Sequence, residues 1–360
     1  MVSAWLARAA RIVCASMPAD VASPIGNEGT DPRATMRSSR RRLLVGAAAI
    51  VALVVGMVGV VHSITSQPEA GGTSTPIGDP TNPFRSGRTL VIPHGGGDGL
   101  FPENTLLAFE RSMAMGADVV DVDLRLSLDG VVIAFHYPTV DRITGAKGTV
   151  QNMTYYELSQ LDAGWAFAPA GAVANGRVAE HPFRGIGVSI PTLESILQKF
   201  PTALLSLDLK DESTAMVKPV CELLRQYHRF NDVFVGSNND SQILEFRKLC
   251  PDVRTSAIMK DVYASRDARA RGDTHFVPAV TVDQPPFRVD GREIVDRASL
   301  SWSHEHGVAI LTWVVNDEAD MRFLVGLGVD GIYTSYPNRL LRILGRCTSA
   351  DACDPTSASR

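Results

Sequence analysis

Little of the 360-residue chain is charged (21%) or aromatic (7%), and it has only five cysteines. Sparse charge beside 45% hydrophobic content excludes a disordered polyelectrolyte and requires a packed core. The few cysteines, with no Cys/His spacing that suits zinc, exclude a zinc module and a disulfide-framed miniprotein. A strongly basic field is missing too: the formal net charge is -4, which excludes a general nucleic-acid binder. No GxGxxG follows the first predicted strand, so nothing marks a dinucleotide fold. Thirty Gly and 21 Pro make the chain rich in turns without collagen-like or low-complexity character.

The net charge hides an asymmetry. Residues 1–42 hold seven Arg against three acids, while the remainder holds 28 basic against 36 acidic residues. From Leu43 to Val61 nineteen residues pass without a charge or strongly polar side chain. At 1.5 Å per residue such a helix just spans a bilayer core. Arg37, Arg40, Arg41 and Arg42 precede it, and no Lys or Arg follows until Arg85. The positive-inside rule then predicts a single-pass anchor with a cytoplasmic N-terminus and an extracytoplasmic body. A cleaved signal peptide starting at Met36 is the alternative, although no convincing cleavage site follows the apolar run. The expected organisation is a basic segment over 1–42, a transmembrane helix over 43–61 and a flexible linker over 62–87. One domain over 88–346 and a polar tail over 347–360 complete it.

Within that domain, short β-branched runs alternate with amphipathic stretches. The pattern predicts strands at 90–92, 119–124, 131–135, 204–209, 233–236, 254–258, 277–281, 309–314 and 331–334. Helices are predicted after the first strand and at 193–199, 215–227, 241–249, 293–306 and 318–327. Repeated β-then-α predicts an α/β fold with a parallel sheet, and a (β/α)₈ TIM barrel suits a domain of this length. A doubly wound open sheet is the alternative.

Working residues of such a barrel stand where strands end. His94 follows the first strand and precedes three glycines. Asp121 and Asp123 share one face of the second strand; pointing into the mouth, two carboxylates side by side need a cation or a shared proton, and pointing outward they are solvated charges. His136 follows the third strand, and Asp208 and Lys210 share a face of the next. Two imidazoles can serve as general base and acid, while a hard cation and a lysine hold an anion between them. Those parts fit phosphodiester cleavage.

The run from His94 to Val150, containing HGGG, PENT, GAD, DVD, LDG and HYPT, resembles the glycerophosphodiester phosphodiesterase family. The similarity continues through LDLK (207–210), TWVVND (312–317) and GVDGIYTSYPN (328–338), with the motifs in family order. The resemblance implies a (β/α)₈ barrel and catalysis by His94 and His136. It implies a divalent metal, Ca²⁺ or Mg²⁺, on Asp121, Asp123 and Asp208, and a phosphate contact at Lys210. Trp313 and Asn316 would line the substrate site, with Glu103 and Asn104 binding or positioning beside them. In such enzymes a glycerol hydroxyl attacks the phosphorus, a cyclic phosphate forms, and water opens it to glycerol 3-phosphate.

Several positions depart from the pattern. The family arginine after the first histidine is Gly95, Asp121 and Asp208 stand where Glu is commoner, Tyr137 replaces Asp, and Ser335 replaces Asp. An active enzyme on glycerophosphodiesters or lysophospholipids is expected. A degenerate barrel that binds a phosphorylated ligand is the rival, and release of a cyclic product is a third option. The segment 165–183 is expected to form a loop over the mouth, its aromatics meeting the barrel or an acyl chain. Cys14 should remain reduced, Cys347 and Cys353 can close a small disulfide, and Cys221 and Cys250 are expected buried singly.

Overall fold

The second strand shows how this chain builds its sheet. Val119, Asp121 and Asp123 alternate with Val120, Val122 and Leu124, and all six are buried, because one face lines a barrel and the other is covered by helices. The computed structural model describes residues 81–168, 181–347 and Cys353. Barrel strands are β1 (Leu90–Pro93), β2 (Val119–Leu126), β4 (Leu204–Leu209), β5 (Val233–Ser237), β6 (Arg254–Thr255), β7 (Val282–Asp283), β10 (Ala309–Thr312) and β11 (Gly331–Thr334). Strand β3 (Val132–Ala134) folds back on β2, and β8 (Arg288–Val289) pairs with β9 (Arg292–Glu293) as a separate ribbon.

Parallel pairing runs β2–β4–β5–β6 and β7–β10–β11–β1. A parallel bridge from Ser256 to Val282 joins the halves at one seam. At the other, Asp118 donates its backbone N–H to the Val91 carbonyl at 3.0 Å. The result is the expected (β/α)₈ barrel. Its interior is closed by Phe84, Leu90, Ile92, Val119, Phe234 and Leu311, with Phe84 edge-on to Phe234 at 4.8 Å. Outside stand α1 (Leu106–Ala114), α2 (Leu193–Lys199), α3 (Val217–Gln226), α4 (Asp240–Leu249), α5 (Met259–Arg271), α6 (Arg297–Glu305), α7 (Glu318–Leu327) and α8 (Pro337–Ile343). Side-chain caps start several of them: Thr105 Oγ1 accepts from Ala108 N, and Asp317 accepts from Ala319 N and Asp320 N.

Four expectations need correction. The third strand is not a barrel stave: β3 runs antiparallel to β2, and this return carries His136 back toward the mouth. The stave expected at 277–281 lies at Val282–Asp283, and Val277 is 84% exposed. Helix α6 begins at Arg297 rather than 293, because Arg292–Glu293 is held in the ribbon. Helix α5 was not expected, since it buries only Asp261 and Ala268 and carries no apolar stripe.

Cys221 and Cys250 are also not single. They form a disulfide between α3 and the end of α4, with Cα atoms 5.9 Å apart, because both face the same interhelical contact. Cys347 and Cys353 form the second. Replacing Cys221 and Cys250 together by serine should lower unfolding stability by about 3 kcal/mol, given the 29-residue separation. Chemical denaturation of variant and parent would measure it; equal midpoints would show that the bond is not formed.

The apolar run 43–61, the segment before it and most of the linker and tail lie outside the described residues. Among the described residues no helix is long and apolar enough to cross a membrane. Of the expected mouth loop, 169–180 lies outside the described residues. Phe183 is buried against Phe167, with ring centroids 5.3 Å apart, and Trp165 lies under the Arg184 guanidinium. Phe183 therefore packs on the protein, while Trp165 remains 43% exposed.

Candidate active site

Period-two alternation delivers the polar side chains to one end of the barrel. On β2, β4 and β11 the faces that begin inside with Val119, Leu204 and Gly331 end with Asp123, Asp208 and Tyr333. His94 leaves β1 in a tight turn, and its Nδ1 lies 3.1 Å from Asp98 Oδ2, which leaves Nε2 as the ring nitrogen open to chemistry.

Asp121 is held from two sides. Its Oδ2 accepts from Gly95 N at 3.1 Å and its Oδ1 from Ser206 Oγ at 2.8 Å. Beneath it the Tyr333 hydroxyl lies 3.0 Å from Ser206 Oγ and accepts from Gln284 Nε2 at 2.5 Å. Asp123 is locked by Asn104: Asn104 Nδ2 donates to Asp123 Oδ2 at 2.8 Å, and Asp123 N donates to Asn104 Oδ1 at 2.9 Å. Asn104 adopts φ +56° to do so, a conformation asparagine tolerates better than most residues. Lys210 Nζ sits 3.1 Å from Asp123 Oδ1 and 2.6 Å from Asp208 Oδ2.

His136 is brought beside this cluster when Phe135 N bonds to the Asp123 carbonyl at 2.8 Å. Its Nδ1 is buried without a hydrogen-bond partner. Glu103 faces Asp98 and Asp123, and Tyr137 hydrogen-bonds to it. Asp98, Glu103, Arg142 and Phe167 line an adjoining cavity of about 160 Å³.

Asn316 is anchored to the end of β11. Its amide is spent within the protein, accepting from Thr334 Oγ1 and Ser335 N and donating to Ser335 Oγ at 3.1 Å. These bonds fix its place at the rim of the mouth and leave one N–H of the amide uncommitted among the described residues. Trp313 donates Nε1–H to the Gln284 carbonyl and remains 38% exposed, so its ring is accessible. Sequence patterns did not single out Asp98, Ser206, Gln284 or Tyr333. The one available signal was that Ser206 and Tyr333 share an inward register with Asp208 and Ser335.

Electrostatics separates the two histidines. Burial alone would lower His94, but the Asp98 hydrogen bond and the charges of Asp121, Asp98 and Asp123 raise it to about 9. For His136 burial prevails and, aided by Lys210 and His94, holds it below its ordinary value against the pull of Asp123. Burial, then Asp123 and Asp98, pushes Glu103 up to about 7. Asp121 is raised by burial and by Asp123; burial would raise Asp123 too, but Lys210, His136, His94 and the Asn104 hydrogen bond together hold it low.

Since His94 rises above its ordinary 6.5, its charged form contributes stability fully below that pH, and the contribution fades as pH climbs through about 9. Nitrogen-15 NMR in EDTA should show His94 titrating near pH 9, and Ca²⁺ should lower that value. A midpoint near 6.5 in EDTA would contradict this electrostatic account.

Whether these residues suit a divalent cation can be judged from their donors. Asp121, Asp123 and Asp208 offer hard carboxylate oxygens, and Asp208 Oδ1 is buried with no hydrogen-bond partner. Among the described residues no three His, Cys, Asp or Glu side chains are grouped to hold a metal. The Lys210 ammonium is paired with both Asp123 and Asp208. The donor chemistry fits a hard cation, provided that Lys210 yields one oxygen.

Barrel and mouth together define a hydrolase of phosphoric diesters. Residues 94–339 match the model of the glycerophosphoryl diester phosphodiesterase family, and the chain belongs to that family. A glycerophosphodiester phosphodiesterase of Bacillus altitudinis is 28% identical over 262 residues, covering 71% of this chain and 98% of the relative. A lysophospholipase D of Mus musculus is 24% identical over 275 residues, covering 69% and 84%. The solved Oleispira antarctica phosphodiesterase, in complex with the product sn-glycerol-3-phosphate, superposes with a TM-score of 0.56 at 22% identity, covering 72% and 97%.

Proposed function

We propose that this enzyme hydrolyses glycerophosphodiesters to sn-glycerol 3-phosphate and an alcohol, and lysophospholipids to lysophosphatidate, in phospholipid turnover. The observation that carries it is the meeting of His94, His136, Lys210 and the buried Asp121–Asp123 pair at the mouth of one barrel. His94 and His136 divide the proton transfers. The neutral imidazole of His136 takes the proton of the glycerol hydroxyl as its oxygen attacks phosphorus. The charged His94, oriented by Asp98, donates a proton to the departing alcohol oxygen. In the second half the roles reverse, and water opens the cyclic phosphate. Lys210 faces the negative phosphate oxygens, while Trp313 and Glu103 border the substrate.

Asp121, Asp123 and Asp208 would hold Ca²⁺ or Mg²⁺, which when bound supplies charge neutralisation at the phosphate. We assign residues 43–61 as a membrane anchor, with 1–42 cytoplasmic and 62–87 as tether. The barrel of residues 88–346 and the tail 347–360 then lie outside the cell membrane; secretion after cleavage is the alternative. Two disulfides support an oxidising compartment. The shared ancestry with a lysophospholipase D supports the lipid substrate.

The test is turnover of glycerophosphocholine and lysophosphatidylcholine by the full chain with Ca²⁺, Mg²⁺ or EDTA. EDTA should abolish at least 99% of turnover, about a 100-fold loss, and one of the two cations should restore it. Full activity in EDTA would remove the metal from the proposal, and turnover of glycerophosphocholine alone would remove the lipid substrate.

A further inference from the structure

Three glycines follow His94, and their conformation has a consequence for catalysis. Gly95, Gly96 and Gly97 all take positive φ (+53°, +87° and +92°), a region that favours glycine. The turn they make is tight: Gly97 N and Asp98 N both bond to the His94 carbonyl, at 2.8 and 3.1 Å. It carries Asp98 back over the residue four positions earlier and sets its Oδ2 at 3.1 Å from His94 Nδ1. A Cβ at Gly96 would stand 2.8 Å from Ala108 Cβ and 2.9 Å from Phe109 Cδ1, so α1 holds the turn in place.

The Asp98 carboxylate also meets the last strand. Ser335, directly after β11, accepts from Asn316 Nδ2 at 3.1 Å, and its hydroxyl is among the groups that help hold the Asp98 carboxyl low, while Asp98 Oδ1 is buried with no hydrogen-bond partner. This chain departs from the family pattern at both Gly95 and Ser335, where an arginine and an aspartate are usual. A second carboxylate at 335 would crowd Asp98 with like charge. With serine at 335, the carboxylate beside His94 Nδ1 comes from Asp98 on the first loop.

We infer that Asp98 is a positioning residue that fixes the ring orientation and tautomer of His94, doing from the first loop what a carboxylate at position 335 would do from the last strand. The inference deepens the proposed mechanism and rests on His94 as a proton-transfer group. Groups facing His94 from the neighbouring elements are Asp121 and Asp123 on β2, Glu103 before α1 and His136 after β3.

The experiment compares Asp98→Asn, Ser335→Asp and the double variant Asp98→Ser/Ser335→Asp in the full chain, using glycerophosphocholine turnover and the nitrogen-15 signals of His94. Asp98→Asn should lower kcat about 100-fold with KM nearly unchanged, and it should shift the His94 Nδ1 signal. The double variant should regain at least about ten-fold of that loss and restore the signal, while Ser335→Asp alone should impair the parent through carboxylate repulsion. Circular dichroism and melting curves keep folding separate from catalysis.

An Asp98→Asn enzyme within about two-fold of the parent, or one that loses activity with the His94 signal unmoved, would overturn the inference. Failure of the double variant to recover would overturn the equivalence of positions 98 and 335. If His94→Ala retains full turnover, the acid–base assignment falls instead. The His94 signal in Asp98→Asn still decides the contact.

Discussion

Replacing His94 by alanine should lower kcat about 1,000-fold while glycerophosphocholine still binds. The imidazole sits at the end of β1 with Nδ1 engaged by Asp98, so only Nε2 is left to exchange a proton with substrate. Alanine removes that proton and also the positive charge facing Asp98, Asp121 and Asp123. His136→Ala should lose a similar factor, since one missing proton transfer suffices to stall either half of the reaction. The double variant should be little worse than either single one, because groups that act as a unit are not additive. Steady-state kinetics with phosphorus NMR detection measures all three. Additive losses would show that the two imidazoles serve separate steps.

The other large effect is expected at Lys210. Its ammonium is the counter-charge of both Asp123 and Asp208, at 3.1 and 2.6 Å, and the neighbouring carboxylates hold it protonated against its burial. Lys210→Met should lower stability in EDTA by about 3 kcal/mol, because two buried carboxylates lose their partner. It should also lower kcat/KM about 100-fold, through loss of a charged contact to the phosphate. Ca²⁺ should return part of the melting temperature to the variant and little of the turnover, since a cation can replace the counter-charge but not the donated hydrogen bonds. Calorimetry with and without Ca²⁺, beside turnover, checks both. A Lys210→Met enzyme with the parent's melting temperature in EDTA would show that the carboxylate cluster does not depend on the lysine.

Much of this site could be read from alternation. Once 119–124 and 204–209 are strands, Asp121 must share a face with Asp123 and His94 must follow the first strand, while closure of the barrel shows that this face and that of Asp208 point inward. What could not be read were contacts made across the barrel. Nothing local says that Gln284 bonds to Tyr333, since one follows β7 and the other lies on β11, and they meet only when the ring closes. The partnership of Cys221 with Cys250 likewise depends on how α3 packs on α4.

The turn at Gly95–Gly97 reads in sequence as backbone kept clear for a ligand. In the fold it returns Asp98 to His94 instead. Strand β3 was misplaced in the ring because a short β-branched run looks alike whether it pairs parallel or antiparallel. Helix α5 was missed because its surface is solvated almost all round. The bonds that hold Asn316 to Thr334 and Ser335 are set by the β10–β11 connection and are invisible in its motif.

The central claim is that His94, His136 and Lys210 form one phosphodiester-cleaving site, and the most direct measurement is a phosphorus NMR time course of glycerophosphocholine with the full chain and Ca²⁺. The account predicts that the diester signal decays into sn-glycerol 3-phosphate through a transient cyclic phosphate, and that His94→Ala leaves the diester intact. A diester signal unchanged by folded, Ca²⁺-supplied parent enzyme would contradict it.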